Sequence, residues 1–458
     1  MRAGRTEHAE AALMELSDKR VMVVGLGVSG VAAARFLASR GAKLVMTDRR
    51  VDVERSKLPA GALKLGAEDA GWMDGVDLVV TSPGVPRDSI LLRAATERRI
   101  PVIGEIELAG RFLEAPITAV TGTNGKSTVV VLLGEILKAS GRRTFVGGNL
   151  GTPLIDAVDG KWEVAVVEVS SFQLEWIEKF RPHAGVHLNL SDDHFDRYRD
   201  LADYGRAKAR LFENQQASDY AILNRDDPNV WKLANGVRSR VIGFGHARGG
   251  GGASIWFDDR SNAIVFDLGF DGARRGRISL EGFRLRGRHN ISNAMAASAA
   301  ALALGVEMEE IERALASFCG LPHRIEVVHA HGGVTYIDDS KGTNVGAVVE
   351  AIDAIAAPII LIAGGLDKGG DYAPLRRPLG DKVKLAILNG AARDKMAAAL
   401  EGATQIELVA TLSEAVEHAA REARPGDTVL LSPACSSFDQ FKDYAERGNV
   451  YKELVRAL

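Results

Sequence analysis

A short glycine loop between a predicted strand and a predicted helix is the strongest constraint on how this 458-residue chain can fold. Residues 117–128 read ITAVTGTNGKST, and residues 129–140 continue as VVVLLGEILKAS, a good helix former. Such a loop points backbone N–H groups at phosphate oxygens, and the start of the helix adds partial positive charge. The sequence therefore predicts binding of a nucleoside triphosphate, in preference to a simple glycine turn before a helix.

Single residues of this loop have expected roles. Lys126 is expected to reach the outer phosphates, and Ser127 or Thr128 is expected to contact Mg²⁺. The usual pattern, G-x-x-x-x-G-K-[ST], has a glycine where this chain has Val120. The loop is therefore a variant form, G-x-x-G-K-S-T.

Length, charge and cysteine content limit the remaining possibilities. At about 100–200 residues per domain, the chain has room for about three domains. A formal net charge of −3 gives no basic field for nucleic acid. Cys319 and Cys435 form no disulfide framework, the N-terminus is charged where a signal peptide is apolar, and no apolar run approaches the ~20 residues of a membrane span. We expect a cytoplasmic protein without nucleic-acid or membrane partners.

A second glycine motif opens the part of the chain before the phosphate loop. After residues 1–18, a predicted helical or frayed extension, the chain reads RVMVVGLGVSG, and Asp48 ends the next predicted strand. A strand followed by G-x-G-x-x-G, with an acidic residue about 20 positions on, is typical of a βαβ unit that binds a dinucleotide. The same unit can hold other diphosphates, including a UDP-sugar, and a Rossmann scaffold with an empty crevice is a third interpretation.

Polar residues follow several predicted strands after the phosphate loop. Glu168 ends the apolar strand VAVVE, so its expected partner is a cation such as Mg²⁺, unless backbone N–H groups satisfy it. His194 follows another strand beside several aspartates, which favours a functional role. Spacing alone places Lys208 on a solvated helix face, and it leaves Asn290 and Asn293 either to reach adenine or to cap their helix.

The last part of the chain returns to alternating strands and helices. A glycine-rich stretch over residues 245–262 is expected to form an irregular loop, and Leu321–Arg324 to form a linker. Beyond it, alternation predicts a third parallel sheet with ligands at the carboxyl ends of its strands. Lys341, Lys368 and Ser436–Ser437 stand at three such ends and together suit an anionic amino-acid substrate.

Eight ordered motifs together resemble those of the Mur ligase family. They are TGTNGKST, VEVSSFQLE, NLSDDHFDRY, AKARLFEN, GRHNISNAMAA, LPHR, DDSKGTN and LLSPACSSFDQF, and the match runs from about Val21 to the C-terminus. The resemblance implies an α/β fold of three domains: a Rossmann-like UDP-substrate domain over 1–115, a central P-loop ATPase domain over 116–320 and a Rossmann-like amino-acid domain over 321–458.

The activity that this resemblance implies is the ATP-dependent ligation of D-glutamate to UDP-N-acetylmuramoyl-L-alanine through an acyl phosphate, in cytoplasmic peptidoglycan precursor synthesis. It also implies ATP, two Mg²⁺ sites, small-molecule partners alone and a monomer.

The resemblance also implies roles for residues of this chain. The catalytic set is Lys126, Glu168, His194, Lys208 and Lys341, and the ATP contacts are Gly122, Thr123, Asn124, Gly125, Lys126, Ser127, Thr128, Asn290, Asn293 and Arg324. The UDP-substrate contacts are Val28, Ser29, Thr47, Asp48, Arg49, Ser82, Gly84 and, on the muramoyl side, Asn149, while D-glutamate contacts Thr343, Lys368, Ser437 and Phe438. Metal is held by Ser127, Glu168, His194 and Lys208, a lysine that this family carbamylates. Where relatives tend to have an acidic residue this chain has Leu366, which leaves the role of Asp367 open.

Three rival interpretations can be separated from this one. Another Mur ligase or a folylpolyglutamate synthase shares the ATPase motifs, but SPACSSFDQF and the UDP-type βαβ unit favour the D-glutamate reaction. An NAD-binding redox protein fused to an ATPase would respond to spectral titration with NADH. A nucleotide-gated binding protein would not need the metal set Glu168, His194 and Lys208.

Overall fold

Three α/β units follow one another in a computed structural model that describes residues 14–249, 252–269, 274–285 and 287–458. Each unit is built on its own sheet, and this confirms the predicted fold class. The boundaries at residues 115 and 320 stay predictions. Residues 1–13 of the N-terminal extension lie outside the described part, and residues 14–18 form no helix. No described helix is both long and apolar enough to cross a membrane.

The first unit carries a five-stranded parallel sheet in the order β3-β2-β1-β4-β5. Its elements are β1 (Arg20–Val24), α1 (Val28–Ser39), β2 (Lys43–Asp48), β3 (Ala62–Leu65), β4 (Leu78–Thr81), α2 (Ile90–Glu97), β5 (Val102–Gly104) and α3 (Glu105–Gly110). The central strands β1 and β4 are apolar along most of their length, as strands covered on both faces must be. The strand order reverses at β1, and ligands bind at such a switch point.

Two glutamates of α3 join the first unit to the second. Glu107 accepts hydrogen bonds from three successive backbone N–H groups, those of residues 178–180. Glu105 is buried, and its Oε1 accepts a hydrogen bond of 2.7 Å from the Ile155 N–H, whereas its Oε2 has no hydrogen-bond partner. Burial raises the pKa of Glu105 to about 7.

Replacing Glu105 by glutamine is therefore expected to stabilise the protein at alkaline pH. A carboxyl whose pKa is raised from 4.5 to about 7 by folding lowers stability as the pH rises from 4.5 to 7, and the loss is constant above that range. Glutamine stays neutral, so the free energy of unfolding of Glu105→Gln at pH 8 should exceed that of the wild type by about 1–3 kcal/mol. Urea denaturation at pH 8 and pH 4 measures this, and the gain should disappear at pH 4, which lies below both pKa values. Glu107→Gln should instead lower the free energy of unfolding at pH 8, because the Glu107 carboxylate accepts hydrogen bonds from three backbone N–H groups and an amide oxygen is a weaker acceptor.

The central unit has a nine-stranded sheet in the order β14-β13-β12-β11-β10-β9-β6-β8-β7. Its elements are β6 (Ile117–Thr121), α4 (Lys126–Ala139), β7 (Thr144–Gly148), β8 (Val164–Glu168), α5 (Ser171–Leu174), β9 (Ala184–His187), α6 (Leu201–Ala209), β10 (Tyr220–Asn224), α7 (Pro228–Trp231), β11 (Arg240–Gly245), β12 (Ala253–Asp258), β13 (Ala263–Asp267), β14 (Arg275–Ser279), α8 (Arg288–Ala303) and α9 (Met308–Ser317). Strand β6 lies between β8 and β9, so the phosphate loop leaves the middle of the sheet.

Strand β12 corrects the expectation of an irregular loop over residues 245–262. The stretch ASIWFD pairs antiparallel with β13, and Ile255 is buried in the core below the sheet. Asn262 adopts a left-handed conformation (φ 44°) in the turn that joins the two strands. The prediction followed the glycine-rich composition and not the strand pattern of ASIWFD, because the glycines directly precede β12 in the sequence.

The last unit carries a six-stranded sheet in the order β15-β16-β20-β17-β18-β19. Its elements are β15 (Glu326–His331), β16 (Val334–Asp338), α10 (Val345–Ala354), β17 (Ile359–Gly364), α11 (Arg376–Lys382), β18 (Val383–Asn389), α12 (Arg393–Leu400), β19 (Gln405–Leu408), α13 (Leu412–Glu422), β20 (Thr428–Leu431) and α14 (Tyr444–Arg456). Because the edge strand β15 runs antiparallel to β16, the predicted parallel sheet is mixed. The expected linker Leu321–Arg324 is also anchored, since buried His323 lies 2.7 Å from the Asp338 carboxylate.

Candidate active site

The predicted phosphate loop curls around the start of α4. Gly125 is the N-cap of that helix and has φ +82°. Lys126 folds back over the loop, and its Nζ donates hydrogen bonds to the carbonyl oxygens of Gly122 (2.9 Å) and Thr123 (2.7 Å). Asn189, which sequence reasoning missed, accepts hydrogen bonds at its Oδ1 from the backbone N–H groups of residues 123 and 124. Its position just beyond the carboxyl end of β9, two residues after His187, was the available signal.

A buried polar cluster surrounds the Glu168 carboxylate. Ser127 Oγ donates to Glu168 Oε2 (2.5 Å), and Asn149 Nδ2 donates to Glu168 Oε1 (2.9 Å). Lys341 Nζ, from the last unit, donates to Ser127 Oγ (2.8 Å). Side chains, rather than backbone N–H groups, therefore satisfy Glu168. Asn149 lies in this cluster, away from the other residues predicted for the UDP substrate.

The charges of this cluster suit a divalent cation. Burial alone would raise the pKa of Glu168, but the charges of Lys126 and Lys341, together with the hydrogen bonds from Ser127 and Asn149, hold that pKa below its ordinary value. Burial lowers the pKa of Lys126, and it lowers that of Lys341 to about 8. Ser127 and Glu168 offer adjacent oxygen ligands of the kind Mg²⁺ takes, and the Lys341 ammonium already contacts one of them. The residues present therefore fit Mg²⁺.

Lys208 lies below this cluster and is buried, which corrects the solvated position that its spacing indicated. Its Nζ donates a 2.8 Å hydrogen bond to the Gly122 carbonyl and lies 4.5 Å from the centre of the Tyr204 ring. The prediction from residue spacing was wrong because the face of α6 that carries Lys208 packs against the phosphate loop. Burial, reinforced by the charge of Lys126, lowers the pKa of Lys208 well below its ordinary value. This favours the neutral amine, which is the form that CO₂ carbamylates.

His194 stands at the rim of the same region. Its ring lies 6.0 Å from the Tyr204 ring, the ring that also contacts Lys208, and its Nε2 is 3.6 Å from Asp193. Among the described residues no hydrogen bond joins His194 to Glu168. The structure thus places His194 near Lys208 through a shared aromatic neighbour.

Residues of the last unit reach across to the phosphate loop. Asn344 Nδ2 donates to Asn124 Oδ1 (3.1 Å), while Asn344 Oδ1 caps α10. Sequence reasoning missed Asn344, although an asparagine before a predicted helix is a typical N-cap. Lys368 Nζ lies 3.4 Å from Thr343 Oγ1 and 3.9 Å from the Asp193 carboxylate.

The other predicted D-glutamate residues are less closely grouped. Ser437 is buried in the loop after β20, and Phe438 is 68% exposed. Among the described residues, the Ser437 side chain has no hydrogen bond to Thr343 or Lys368, and the Phe438 side chain has no hydrogen-bonding group. Asp367, whose role was open, accepts hydrogen bonds from Tyr372 (2.7 Å) and Lys395 (2.6 Å) and so stabilises its own loop.

A pocket of about 400 Å³ leads from the phosphate loop between the central and last units. Asn293 and Arg324 line it, and Asn293 Nδ2 donates to Asn290 Oδ1 (3.3 Å). The N-cap of α8 is Gly287, which has no side-chain cap, so these asparagines do not cap the helix. The Nε of Arg324 is buried without a hydrogen-bond partner. A polar ligand such as a nucleotide could satisfy it.

A separate cleft of about 560 Å³ lies at the switch point of the first sheet. Apart from Asn149, all residues predicted for the UDP substrate line it: Val28, Ser29, Thr47, Asp48, Arg49, Ser82 and Gly84. Asp48 already accepts hydrogen bonds from the backbone N–H groups of Leu26 (2.7 Å) and Arg50 (2.9 Å). These hydrogen bonds hold the loops that line the cleft. They also leave the Asp48 carboxylate less free to accept hydrogen bonds from a ribose, which is the role of the acidic residue in dinucleotide-binding proteins.

Three family domains match the chain in order. Residues 19–104 match the Mur ligase MurD-like N-terminal domain, residues 120–301 the Mur ligase middle domain and residues 323–435 the Mur ligase glutamate ligase domain. A UDP-N-acetylmuramoylalanine–D-glutamate ligase of Geotalea daltonii is 48% identical, over 97% of this chain and 99% of its own length. The chain belongs to the Mur ligase family. A ligase of the same name from Desulfosudis oleivorans is 44% identical, over 97% of this chain and 98% of its own.

Solved structures of Mur ligases and a related enzyme share the fold. A pseudomurein peptide ligase type C from Methanothermus fervidus superimposes with a TM-score of 0.62 at 21% identity, over 96% of this chain and 100% of that one. A UDP-N-acetylmuramate–alanine ligase from Thermotoga maritima gives 0.58 at 18% identity, over 96% and 99%. Both support the three-unit architecture of this Mur ligase.

Replacing Gly125 by alanine is expected to weaken ATP binding by this Mur ligase at least about tenfold, because a loop displaced by a steric clash would lose at least one hydrogen bond to a phosphate. A Cβ at this position would lie 2.4 Å from Asn293 Oδ1, so the loop or the pocket wall must move. Gly141, beyond the other end of α4, has φ +79° and open space around it. Gly141→Ala carries the same backbone cost and should leave the affinity unchanged. Calorimetric titration with a non-hydrolysable ATP analogue compares the two, and equal losses would contradict the steric argument.

Proposed function

We propose that this Mur ligase joins D-glutamate to UDP-N-acetylmuramoyl-L-alanine with ATP, in peptidoglycan precursor synthesis. Relatives of that printed name align over nearly the whole chain. The structural observation that carries the proposal is the hydrogen bond between Lys341 and Ser127, because it brings the amino-acid unit onto the phosphate loop. The domain boundaries, site assignments, cytoplasmic location and monomeric state remain parts of this proposal.

The reaction proceeds in two chemical steps. The alanyl carboxylate of the UDP substrate attacks the γ-phosphorus of ATP, and ADP leaves. The product is an acyl phosphate, which an amine can attack because phosphate is a much better leaving group than oxide. The amine of D-glutamate then attacks the acyl carbon, a tetrahedral intermediate forms, and phosphate departs with a proton lost from the amine. The result is an amide bond.

The chain contributes mainly position and charge to the first step. Lys126 would leave the loop carbonyls and donate to the outer phosphates, while Asn189 keeps the loop N–H groups ordered. Ser127 and Glu168 would hold one Mg²⁺, and carbamylated Lys208 with His194 would hold a second. When bound, Mg²⁺ neutralises the charge that develops on the phosphoryl oxygens. Lys341 adds a further positive charge beside Ser127.

The decisive experiment follows phosphate release with different amino acids. The enzyme is incubated with ATP, Mg²⁺, UDP-N-acetylmuramoyl-L-alanine and one amino acid at a time. Release is expected with D-glutamate, and it should need every component. Equal release with L-glutamate, L-lysine or D-alanine would contradict the proposed substrate. A shift of NADH fluorescence on titration would instead support a redox function for the first unit.

A further inference from the structure

A buried arginine of α14 lies beneath the loops that carry the predicted D-glutamate residues. Arg447 is 4% exposed and belongs to none of the predicted binding or catalytic sets. Its guanidinium lies where the ends of three parallel strands, β16, β17 and β20, come together. The loop after β16 carries Lys341 and Thr343, the loop after β17 carries Lys368, and the loop after β20 carries Ser437.

The guanidinium contacts each of these three loops. Its Nε donates to Ser340 Oγ (2.9 Å), and its Nη2 donates to the Ser340 carbonyl oxygen (2.9 Å). The carbonyl oxygens of Cys435 and Ser436 each accept a hydrogen bond of 3.3 Å. Nη1 also packs against Gly365, since a Cβ built there would lie 3.1 Å away. One side chain therefore joins the loops after β16 and β20 by hydrogen bonds and lies against the loop after β17.

The same guanidinium has no counter-charge in direct contact. Its hydrogen-bond acceptors are neutral oxygens, and no carboxylate of the described residues lies within 4.0 Å of it. The carboxylates that face it are engaged elsewhere: Asp338 with His323, Asp339 with Ser432 Oγ and Asp439 with a backbone N–H. Burial still outweighs the charges of these carboxylates and lowers the pKa of Arg447 to about 10, so an anionic ligand nearby would offset the remaining cost of burying the cation.

We propose that Arg447 is a positioning residue for the amino-acid substrate. It holds the Lys341, Lys368 and Ser437 loops at a fixed spacing and places a positive charge beneath the pocket that receives the two carboxylates of D-glutamate. This inference rests on the proposed function, because the anionic substrate comes from it. Arg447 need not touch the substrate, as its hydrogen bonds already end on the loops.

The test separates substrate positioning from general stability by measuring the KM of each substrate. Arg447→Lys keeps the charge but cannot span three loops, and Arg447→Met keeps only the packing. One hydrogen bond from a charged group shifts the equilibrium between ordered and displaced loops about tenfold or more. We expect the KM for D-glutamate to rise about tenfold in Arg447→Lys and about a hundredfold in Arg447→Met, with the KM values for ATP and the UDP substrate changed less than about twofold.

Two further variants protect the test from a folding defect. Ser340→Ala removes the Nε acceptor and also the hydrogen bond from Ser340 Oγ to the Tyr444 carbonyl (2.8 Å), and it should raise the KM for D-glutamate several-fold. Tyr451→Phe, one helical turn along α14, removes a buried hydrogen bond to the Val429 carbonyl (3.2 Å) away from the loops, and it should leave that KM unchanged. A rise of all three KM values together, or an unchanged KM for D-glutamate in Arg447→Lys and Ser340→Ala, would overturn the inference. Failure of the wild-type enzyme to release phosphate with D-glutamate would overturn the proposed function instead.

Discussion

Lys208→Ala is expected to lose at least about a hundredfold in ligation rate, the scale of removing one group that stabilises charge in a transition state. Lys208 is buried under the phosphate loop with a strongly lowered pKa, as a carbamylated lysine requires. Alanine leaves a cavity beside the Gly122 carbonyl, and a short carboxylic acid could enter it and replace the carbamate. Formate, acetate or propionate should therefore restore part of the rate.

A matched lysine and a label complete the test of Lys208. Lys138 lies on the exposed side of α4, and Glu135 is its one ion-pair partner among the described residues, so Lys138→Ala should keep full activity. ¹³C-bicarbonate should give a carbamate resonance in the wild type that Lys208→Ala lacks. A full loss of rate with no rescue by any acid, together with no carbamate signal in the wild type, would leave Lys208 as a structural lysine.

Glu168→Gln is expected to have the second largest effect, again at least about a hundredfold in rate. Glutamine is nearly isosteric, but its one amide oxygen can accept from only one of Ser127 and Asn149, and it removes the negative charge that faces Lys126 and Lys341. The Mg²⁺ concentration for half-maximal rate should therefore rise strongly.

The measurement for Glu168 is a Mg²⁺ titration of phosphate release at saturating substrates. Glu163, which precedes β8 on the surface and pairs with Arg143, is the matched control, and Glu163→Gln should behave as the wild type. If Glu168→Gln were slow but had the same Mg²⁺ concentration for half-maximal rate as the wild type, Glu168 would not be a metal ligand. Its role would then be to balance the positive charges of Lys126 and Lys341.

Local features of this enzyme could be predicted from sequence, and contacts between distant parts of the chain could not. The glycine loop is confirmed as the N-terminus of α4 because strand, turn and helix are contiguous. Lys208 was misjudged from spacing because an amphipathic pattern does not say which face meets the sheet. Asn149, Asn344 and Arg447 form contacts that no local motif encodes: Asn344 meets a residue 220 positions away, and Arg447 meets one 107 positions away.

The hydrogen bond from Lys341 to Ser127 joins residues 214 positions apart in the chain. The proposed ATP site therefore contains residues of both the central and the last unit. If the last unit swung away, Ser127 would lose its contact with the Lys341 ammonium. We expect phosphoryl transfer to slow in that arrangement, in which no amine acceptor can arrive. Such a contact would guard against futile turnover, because the unit proposed to deliver the nucleophile would also permit activation of the acid.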